Sequence, residues 1–386
     1  MLVLFLLSAC APGANPAQLP ARPVGNPAGT EQPLPTAQPP RPSYPPGTLV
    51  EYTAQMGDTL PAVAAHFNTT EAEIRAANSI LPEHVTTLPA GLPMQIPIYY
   101  EPFWGSSFQV LPDSHFVNGP AGVGFDVVAY VNEQPGWLKN ASQYVAKEQR
   151  RGGEIIAYYA TTYSISPRLL LALIEYQAGG LTQPEIPDGK EVYPLGYVER
   201  FHQGLARQLN WAANELNNGY YDWRTGKLES FELQDGRLER PDPWQNAATA
   251  TLQNYFAQVL SPDAYALAIS GEGLLKTYTQ LFGDPWSNVQ AHIPGSLEQP
   301  AFRLPFKYGQ TWAYTGGPHT AWGEGEPLAA VDFAPGNIAS GCTPTDEPAT
   351  AIADGVVVRT GDALVVLDLD GDGDERTGWS IFYLHL

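Results

Sequence analysis

Two residues in the last quarter of the chain have the side-chain types and the local sequence of metal ligands. His319 follows a Gly-Gly pair in "TWAYTGGPHTAW", and Asp332 lies between Val331 and Phe333 in "AAVDFAP". Side chains alternate along a strand, so Asp332 points away from its two apolar neighbours. Imidazole nitrogen and carboxylate oxygen both bind Zn²⁺, at about 2.0–2.2 Å. The pattern predicts a zinc site on neighbouring strands; the alternative is a solvated surface pair.

The elements that must position this pair are short strands. Residues 300–386 combine strand-forming residues with tight turns, and three strands in meander order follow Asp332: "TAIADGVVVR", "ALVVLDLD" and "WSIFYLHL". In the last strand Trp379, Tyr383 and His385 share one face, because side chains two residues apart point the same way. We therefore expect an antiparallel β domain in which this face looks onto the zinc site.

Four short blocks in this region, "TGGPH", "VDFAP", "ADGVV" and "YLH", resemble in sequence and order the LytM/lasA-type zinc metallopeptidases of the M23 family. That family cleaves stem or cross-bridge peptide bonds of peptidoglycan. The resemblance implies that His319 and Asp332 are zinc ligands. It also implies that His385 is a catalytic residue, which positions or deprotonates the attacking water or stabilises the tetrahedral intermediate.

The family pattern continues with a His-x-His block whose second histidine is the third zinc ligand. We expect that ligand beyond residue 386, and we expect the chain as given to be truncated and inactive. Cys342 fits the same expectation, because a free cysteine is unusual in an oxidising compartment. Its disulfide partner is predicted in the same missing segment. The alternative is a non-catalytic peptidoglycan-binding or regulatory envelope protein with a degenerate peptidase domain.

Residues 48–99 predict a small module of strand, helix, helix and strand. Asp58 or Thr59 can cap a first helix that has Pro61 in its first turn. Thr70 followed by Glu73 forms a capping box for a second helix. The blocks "YTAQMGDTL", "VAAHF", "IRAANSI" and "LPAGLPMQIP" resemble a LysM module, a family that binds N-acetylglucosamine-containing glycans such as peptidoglycan. The glycan groove that this resemblance implies is formed by Gly57, Asp58, Thr59, Leu60, Asn78, Ile80 and Leu81.

Residues 136–295 are predicted to be mainly helical, and residues 100–135 to be a connector. The segment "ASQYVAKEQRRGGEIIAYYATTYSI" has helical spacing, Ser166-Pro167 begins another helix, and a third is expected to stop at Gly219. "ISPRLLLALIEYQAGG" resembles the catalytic helix of lysozyme-like lytic transglycosylases, which implies that Glu175 is a general acid. The family's Glu-Ser-Gly is replaced here by "EYQ". A lysozyme-like scaffold and an unrelated helical bundle therefore remain alternatives.

The N-terminus predicts export and anchoring. The apolar run "MLVLFLLSAC" resembles a bacterial lipobox, which implies a signal peptide over residues 1–10 and a lipid on Cys10 that holds the protein to the membrane. The alternatives are part of an ordinary signal peptide or a buried strand. Residues 11–47 are Pro-rich without apolar periodicity, so we expect a disordered tether.

Composition limits the partners of the protein. The chain has 386 residues and a formal net charge of −20, so a phosphate backbone would be repelled and no nucleic-acid partner is expected. The overall prediction is a multidomain α+β protein that faces the cell wall outside the cytoplasm. The acid-rich "DLDGDGDERTG" starts like an EF-hand loop, but Trp379 stands where the loop needs a bidentate glutamate. We interpret this segment as a Gly-rich hairpin turn.

Overall fold

The structure is a computed structural model that describes residues 42–99, 103–293, 299–336, 345–361 and 363–386. The predictions for the signal peptide, for Cys10, for most of the tether and for Cys342 lie outside the described residues. Within them the chain forms ten α-helices and eleven short β-strands, so the mixed α+β class is confirmed. All described residues belong to one unit, Pro35–Leu386. No helix in the described ranges has the length and apolarity needed to cross a membrane.

The first module has the predicted order of elements. Strand β1 (Thr48–Thr53) is followed by helices α1 (Leu60–His66) and α2 (Glu71–Ala77), and then by β2 (Pro93–Ile98), which pairs with β1 antiparallel. The two sides of the module enclose a small apolar core. Its buried members include Val50, Tyr52, Leu60, Val63, Phe67, Ile74, Met94, Ile96 and Ile98.

The helix caps of this module follow the sequence. The Thr59 hydroxyl accepts a hydrogen bond from the Ala62 N–H, so Thr59 rather than Asp58 caps α1. At α2 the Thr70 hydroxyl accepts from the Glu73 N–H at 3.2 Å, while the Glu73 carboxylate accepts from the Thr70 N–H at 3.1 Å. This reciprocal capping box satisfies two backbone donors that the first turn leaves unpaired.

The middle of the chain is a helical domain with two small hairpins. Strands β3 (Ser142–Val145) and β4 (Glu148–Arg151) form the first hairpin, and β5 (Phe231–Glu232) and β6 (Leu238–Glu239) form the second. The helices surround one apolar core. They are α3 (Asp113–Phe116), α4 (Val127–Glu133), α5 (Gly152–Tyr163), α6 (Pro167–Ala178), α7 (Leu205–Thr225), α8 (Ala247–Val259), α9 (Pro262–Ala268) and α10 (Leu274–Phe282).

The predicted connector over residues 100–135 is largely part of this domain. Phe108, Leu111, Phe116 and Val131 are buried in the same core as α6 and α8. The segment contributes these side chains from short elements and turns, so it shows no helical or strand period. The domain boundary therefore lies close to residue 108 instead of residue 136.

The helix expected to begin near residue 141 begins only at Gly152. Residues 142–151 form the β3–β4 hairpin, in which Val145 pairs with Glu148. The two loop residues, Ala146 and Lys147, both have positive φ, at 50° and 66°. This geometry suits a two-residue hairpin, but it normally requires Asn or Gly, so the sequence carries no turn signal here.

Helix α7 also differs from expectation, because it continues through Gly219 to Thr225. A Cβ atom at Gly219 would lie 3.2–3.3 Å from three atoms of Thr251 on α8. Glycine here permits close packing of the two helices rather than ending one of them. The helix instead ends at Gly226, which adopts a left-handed conformation.

The first module packs against the C-terminal end of α7. The His66 ring stacks on Trp223 with ring centroids 3.6 Å apart, and its Nε2 lies 2.9 Å from the Trp223 carbonyl oxygen. The Arg224 guanidinium donates to the backbone carbonyls of Met56 and Gly57, at 3.3 and 3.0 Å. A stacked ring and two charge-assisted hydrogen bonds thus join the module to the helical domain.

The C-terminal region has two separate antiparallel sheets. Strands β7 (Trp312–His319) and β8 (Ala330–Pro335) form one, and β9 (Val356–Gly361), β10 (Leu364–Asp368) and β11 (Ser380–Leu384) form the other. The predicted meander is confirmed, with β10 between its neighbours. The residues "TAIADG" before β9 are not in a strand.

We expect the free energy of unfolding to fall in acid because of His66. Burial lowers the pKa of the His66 imidazole to about 3, whereas an unfolded histidine titrates near 6.5. Between these values the unfolded chain binds a proton that the folded chain excludes. Stability should therefore drop by up to about 1.4 kcal/mol per pH unit as pH falls from 6.5 towards 3.

Urea unfolding midpoints measured across this pH range test the effect. His66→Gln should flatten the dependence, while the same change at exposed His84 should leave it as in the wild type. Identical pH slopes for the wild type and His66→Gln would contradict the assignment.

Candidate functional site

Strands β7 and β8 bring His319 and Asp332 together. The His319 Nε2 atom lies 2.9 Å from the Asp332 Oδ2 atom. Gly316 pairs with Asp332 and His319 pairs with Ala330, so β7 has one extra residue between these two positions. Because an extra residue reverses the alternation of side chains, this bulge places His319 on the same face as Asp332.

The Gly-Gly pair before His319 is required by close approach. A Cβ atom at Gly316 would lie 2.9 Å from the Asp332 Oδ2 atom. Gly317 has a φ of +118°, and a Cβ there would lie 2.8 Å from the Ala330 carbonyl oxygen. Any side chain at either position would push β8 or the Asp332 carboxylate away from His319.

Two acceptors face the His319 ring. Its Nδ1 lies 2.7 Å from the Thr320 carbonyl oxygen, and its Nε2 faces the Asp332 carboxylate. These hydrogen bonds, from Thr320 first and Asp332 second, raise the pKa of His319, because the charged ring can donate to both. The side chains are 43% and 54% exposed, so solvent and ions can reach the pair.

The pair fits two ligands of one zinc ion. With Nδ1–H donating to the Thr320 carbonyl, the Nε2 lone pair becomes available once its proton leaves, which is the usual orientation of a ligating histidine. Two ligand atoms on a tetrahedral zinc lie about 3.3 Å apart at normal bond lengths. The observed 2.9 Å separation therefore needs only a small opening.

Helix α7 holds the loop that joins the two candidate ligands. The Glu324 N–H donates to the Asn214 side-chain oxygen at 2.9 Å, and the Glu326 N–H donates to the Asn218 oxygen at 3.0 Å. Lys227, just beyond the helix, forms an ion pair with Glu326. The sequence did not indicate these residues, because two asparagines four apart on a helix look like an ordinary solvated face.

The structure places His385 just past the end of the last strand. Strand β11 ends at Leu384, and His385 follows it with a φ of +63° and an exposed side chain. In the described ranges no hydrogen bond joins His385 to His319 or Asp332. The expectation that His385 continues the strand face is therefore wrong, while its catalytic role stays a prediction.

Glu175 lies at the end of α6, where its carboxylate binds the following turn. One oxygen accepts from the Leu181 N–H at 2.7 Å and from the Thr182 N–H at 3.2 Å, and the other accepts from the Thr182 hydroxyl. These three donors hold the carboxylate in the turn that follows the helix. The geometry thus favours a structural role, and the general-acid role stays a prediction.

The first predicted glycan loop is occupied by intramolecular contacts. The Gly57 carbonyl accepts from Arg224, Thr59 caps α1, and Leu60 is fully buried. The Asp58 carboxylate accepts from the Tyr52 hydroxyl at 2.6 Å and from a backbone N–H at 2.7 Å. Burial raises the pKa of Asp58 despite these bonds.

The second predicted loop is more open. Asn78 is buried and bonds the backbone of Ile74 and Gln95, so it holds α2 to β2. Leu81 packs against the module core, whereas Ile80 is 71% exposed. Of the seven predicted glycan residues, Ile80 is the one that is exposed; the other six are buried or partly buried.

The acid-rich segment forms the predicted turn between β10 and β11. Asp368 accepts from the N–H groups of Asp370 and Gly373, at 3.2 and 2.9 Å. Carboxylate oxygens of Asp368, Asp370 and Asp372 lie within 4.8 Å of one another. Hydrogen bonds inside the turn account for this clustering.

Two protein-family models match the first two structural regions. Residues 52–97 match the LysM domain, so the LysM module is present. Residues 109–295 match the family model of the N-terminal domain of LasA. This match begins where the helical core begins, and the lysozyme-like character of the middle region stays a prediction.

Two curated proteins are similar to the chain. The chain is 26% identical over 239 residues to Protease LasA of Pseudomonas aeruginosa strain UCBPP-PA14, which covers 58% of this chain and 51% of that protein. Protease LasA of strain PAO1 gives the same identity and coverage. The chain thus spans about half the length of the curated relatives it matches. No solved structure matches the chain.

We expect Asp332→Asn to lower the pKa of His319, but not all the way to the ordinary value of a histidine. The substitution removes the carboxylate charge, but the Thr320 carbonyl still accepts from the ring. Imidazole NMR titration of metal-free protein measures the shift. Asp354→Asn, which changes an exposed carboxylate paired with Arg303, is the matched control. An unchanged His319 titration in Asp332→Asn would contradict the pairing.

Proposed function

We propose that this protein is a zinc-dependent peptidoglycan endopeptidase of the M23 type, directed to the cell wall by its LysM module. The observation that carries the proposal is the pairing of His319 with Asp332 across the bulged β7–β8 sheet. The similarity to proteins named Protease LasA supports a peptidase. The LysM module supports peptidoglycan as the partner and a place of action outside the cytoplasm.

In this proposal His319 and Asp332 hold the metal, and Thr320 fixes the orientation of the histidine ring. A bound zinc ion would supply a Lewis acid for the scissile carbonyl and would lower the pKa of a water molecule. The half-exposed position of the pair lets a peptide strand of the wall reach it without a buried tunnel. His385 is the proposed residue that positions the attacking water or accepts its proton.

In this proposal the LysM module increases the rate of peptide cleavage by raising the local concentration of substrate. Glycan binding, together with the proposed lipid on Cys10, would keep the peptidase pair near its substrate, so cleavage becomes effectively intramolecular. The contacts of Arg224 and His66 fix the module to the helical domain, and the contacts of Asn214 and Asn218 fix the metal loop to the same helix.

A non-catalytic peptidoglycan-binding protein is the second candidate. It is favoured by the position of His385, which lies past the end of β11 and makes no hydrogen bond to either candidate ligand among the described residues. In that case the LysM module would carry the function, and the His319–Asp332 pair would be a solvated ion pair of little energetic value.

The full-length gene product should release new amino groups from purified peptidoglycan when zinc is present. His319→Ala or Asp332→Ala should abolish this release, because each leaves too few ligands for the ion. Chelation should stop the reaction and added zinc should restore it. Asp354→Ala, which removes an exposed carboxylate on the same region, should keep wild-type activity.

Amino-group release that survives chelation or His319→Ala would contradict the proposal. Peptidoglycan binding without any release would favour the second candidate.

We expect neither the wild type nor Glu175→Gln to cleave glycan strands. The wild-type Glu175 carboxylate is already hydrogen-bonded to the turn at Leu181 and Thr182. Muropeptide analysis should show no new reducing or anhydro ends with either protein. The thermal midpoint should fall modestly, since an amide offers one acceptor oxygen where the carboxylate offers two. Glycan cleavage by the wild type that Glu175→Gln removes would assign Glu175 as an acid instead.

A further inference from the structure

A cavity lies where the LysM module meets the helical domain. Its volume is about 640 Å³, within the usual range for sites that bind small ligands. One wall is formed by β1 and the residues that follow it, including Glu51 and Gln55. The helical domain contributes the segment around Asp113, the start of α8 at Asn246, and Trp286.

The lining combines aromatic faces with amide and carboxylate groups. Trp244 and Trp286 both line the cavity, as do Gln109 and Asn246. The Asp113 Oδ1 atom accepts from the Asn246 side chain at 2.7 Å and from a backbone N–H of α8 at 2.8 Å. Its Oδ2 atom has no hydrogen-bond partner among the residues that the structure describes, so it can accept from a ligand.

The charge of the cavity lining disfavours anionic ligands. Glu51 and Asp113 line it, and no lysine or arginine does so within the described chain. Burial lowers the pKa of His292, so this imidazole is neutral at neutral pH. A phosphate or another polyanion would meet these carboxylates, and the nearby Arg224 guanidinium is already held by the Met56 and Gly57 carbonyls. The chemistry therefore suits a ligand that is neutral and rich in hydroxyl and amide groups.

The cavity adjoins the loop that LysM modules use for glycan. Gln55 and Met56 line it and lead directly into Gly57, whose carbonyl is held by Arg224. On this side of the module the Gly57 carbonyl is already bonded to Arg224, so a glycan that approaches here would contact the cavity instead. Indole faces pack against the apolar faces of sugar rings, and amide side chains bond their hydroxyl and acetamido groups.

We propose that this cavity is a saccharide site, shared between the LysM module and the helical domain, that binds a neutral N-acetylated hexosamine unit. The site rests on the glycan-binding part of the proposed function and does not depend on the peptidase part. Trp286 provides an aromatic face from the helical domain, and Asp113 accepts hydrogen bonds from the sugar. An ammonium-bearing peptide would also suit the carboxylates, and the experiment separates the two ligands.

Calorimetric titration of the full chain with the β-1,4-linked tetramer of N-acetylglucosamine tests the site. Trp286→Ala should weaken binding about tenfold, the usual loss when a central aromatic contact is truncated. Trp286→Phe should keep most of the affinity. Tyr144→Ala is the matched control, because this aromatic residue is 69% exposed on β3 and does not line the cavity. It should bind as the wild type does.

Asp113→Asn separates the ligand classes and does not remove a packed side chain. It should weaken binding of the sugar tetramer only a fewfold. Neither the wild type nor Asp113→Asn should bind a tetralysine peptide more tightly than the tetramer. Tighter binding of tetralysine than of the tetramer by the wild type, lost in Asp113→Asn, would overturn the saccharide assignment.

Wild-type affinity in both Trp286 variants, with binding lost in Ile80→Ala, would place the glycan on the LysM module alone. That result would overturn the shared site and leave the proposed function intact. Failure of the wild type to bind either the tetramer or purified peptidoglycan would overturn the glycan part of the proposed function as well.

Discussion

The packing of α7 against α8 is the contact on which the rest of the structure depends. Gly219 lets the two helices approach closely, and the buried face of α7 runs from Leu205 to Trp223. Its remaining surface then contacts both flanking regions. Arg224 holds the LysM loop, and Asn214 and Asn218 hold the loop between the two candidate metal ligands. One helix thus contacts both the LysM module and the loop between the two candidate metal ligands.

The negative net charge of the chain favours a partner that is not itself strongly negative. The net charge of −20 disfavours polyanions, and the described candidate sites present carboxylates, amides and aromatic rings. At the His319–Asp332 pair, the two acceptors that face the imidazole stabilise a positive charge on the ring. In the proposed function, aromatic packing and hydrogen bonds would bind the wall glycan, and the His319–Asp332 pair would attract the metal.

Local chemistry could be predicted from the sequence, and contacts between distant segments could not. The capping box at Thr70 and the proximity of His319 to Asp332 follow from short patterns with a clear physical reason. The hairpin at Ala146 and Lys147 was missed because neither residue type indicates positive φ. The covering of Gly57 by Arg224 depends on how two domains pack, which no local pattern records.

The most direct test of the central claim is the zinc-edge X-ray absorption spectrum of the full-length gene product. The account predicts a bound zinc ion with nitrogen and oxygen neighbours at about 2.0–2.2 Å. The nitrogen contribution from imidazole should decrease in His319→Ala, and the occupancy should fall in Asp332→Ala. A protein that retains no zinc, or whose zinc spectrum is the same in both variants as in the wild type, would contradict the account.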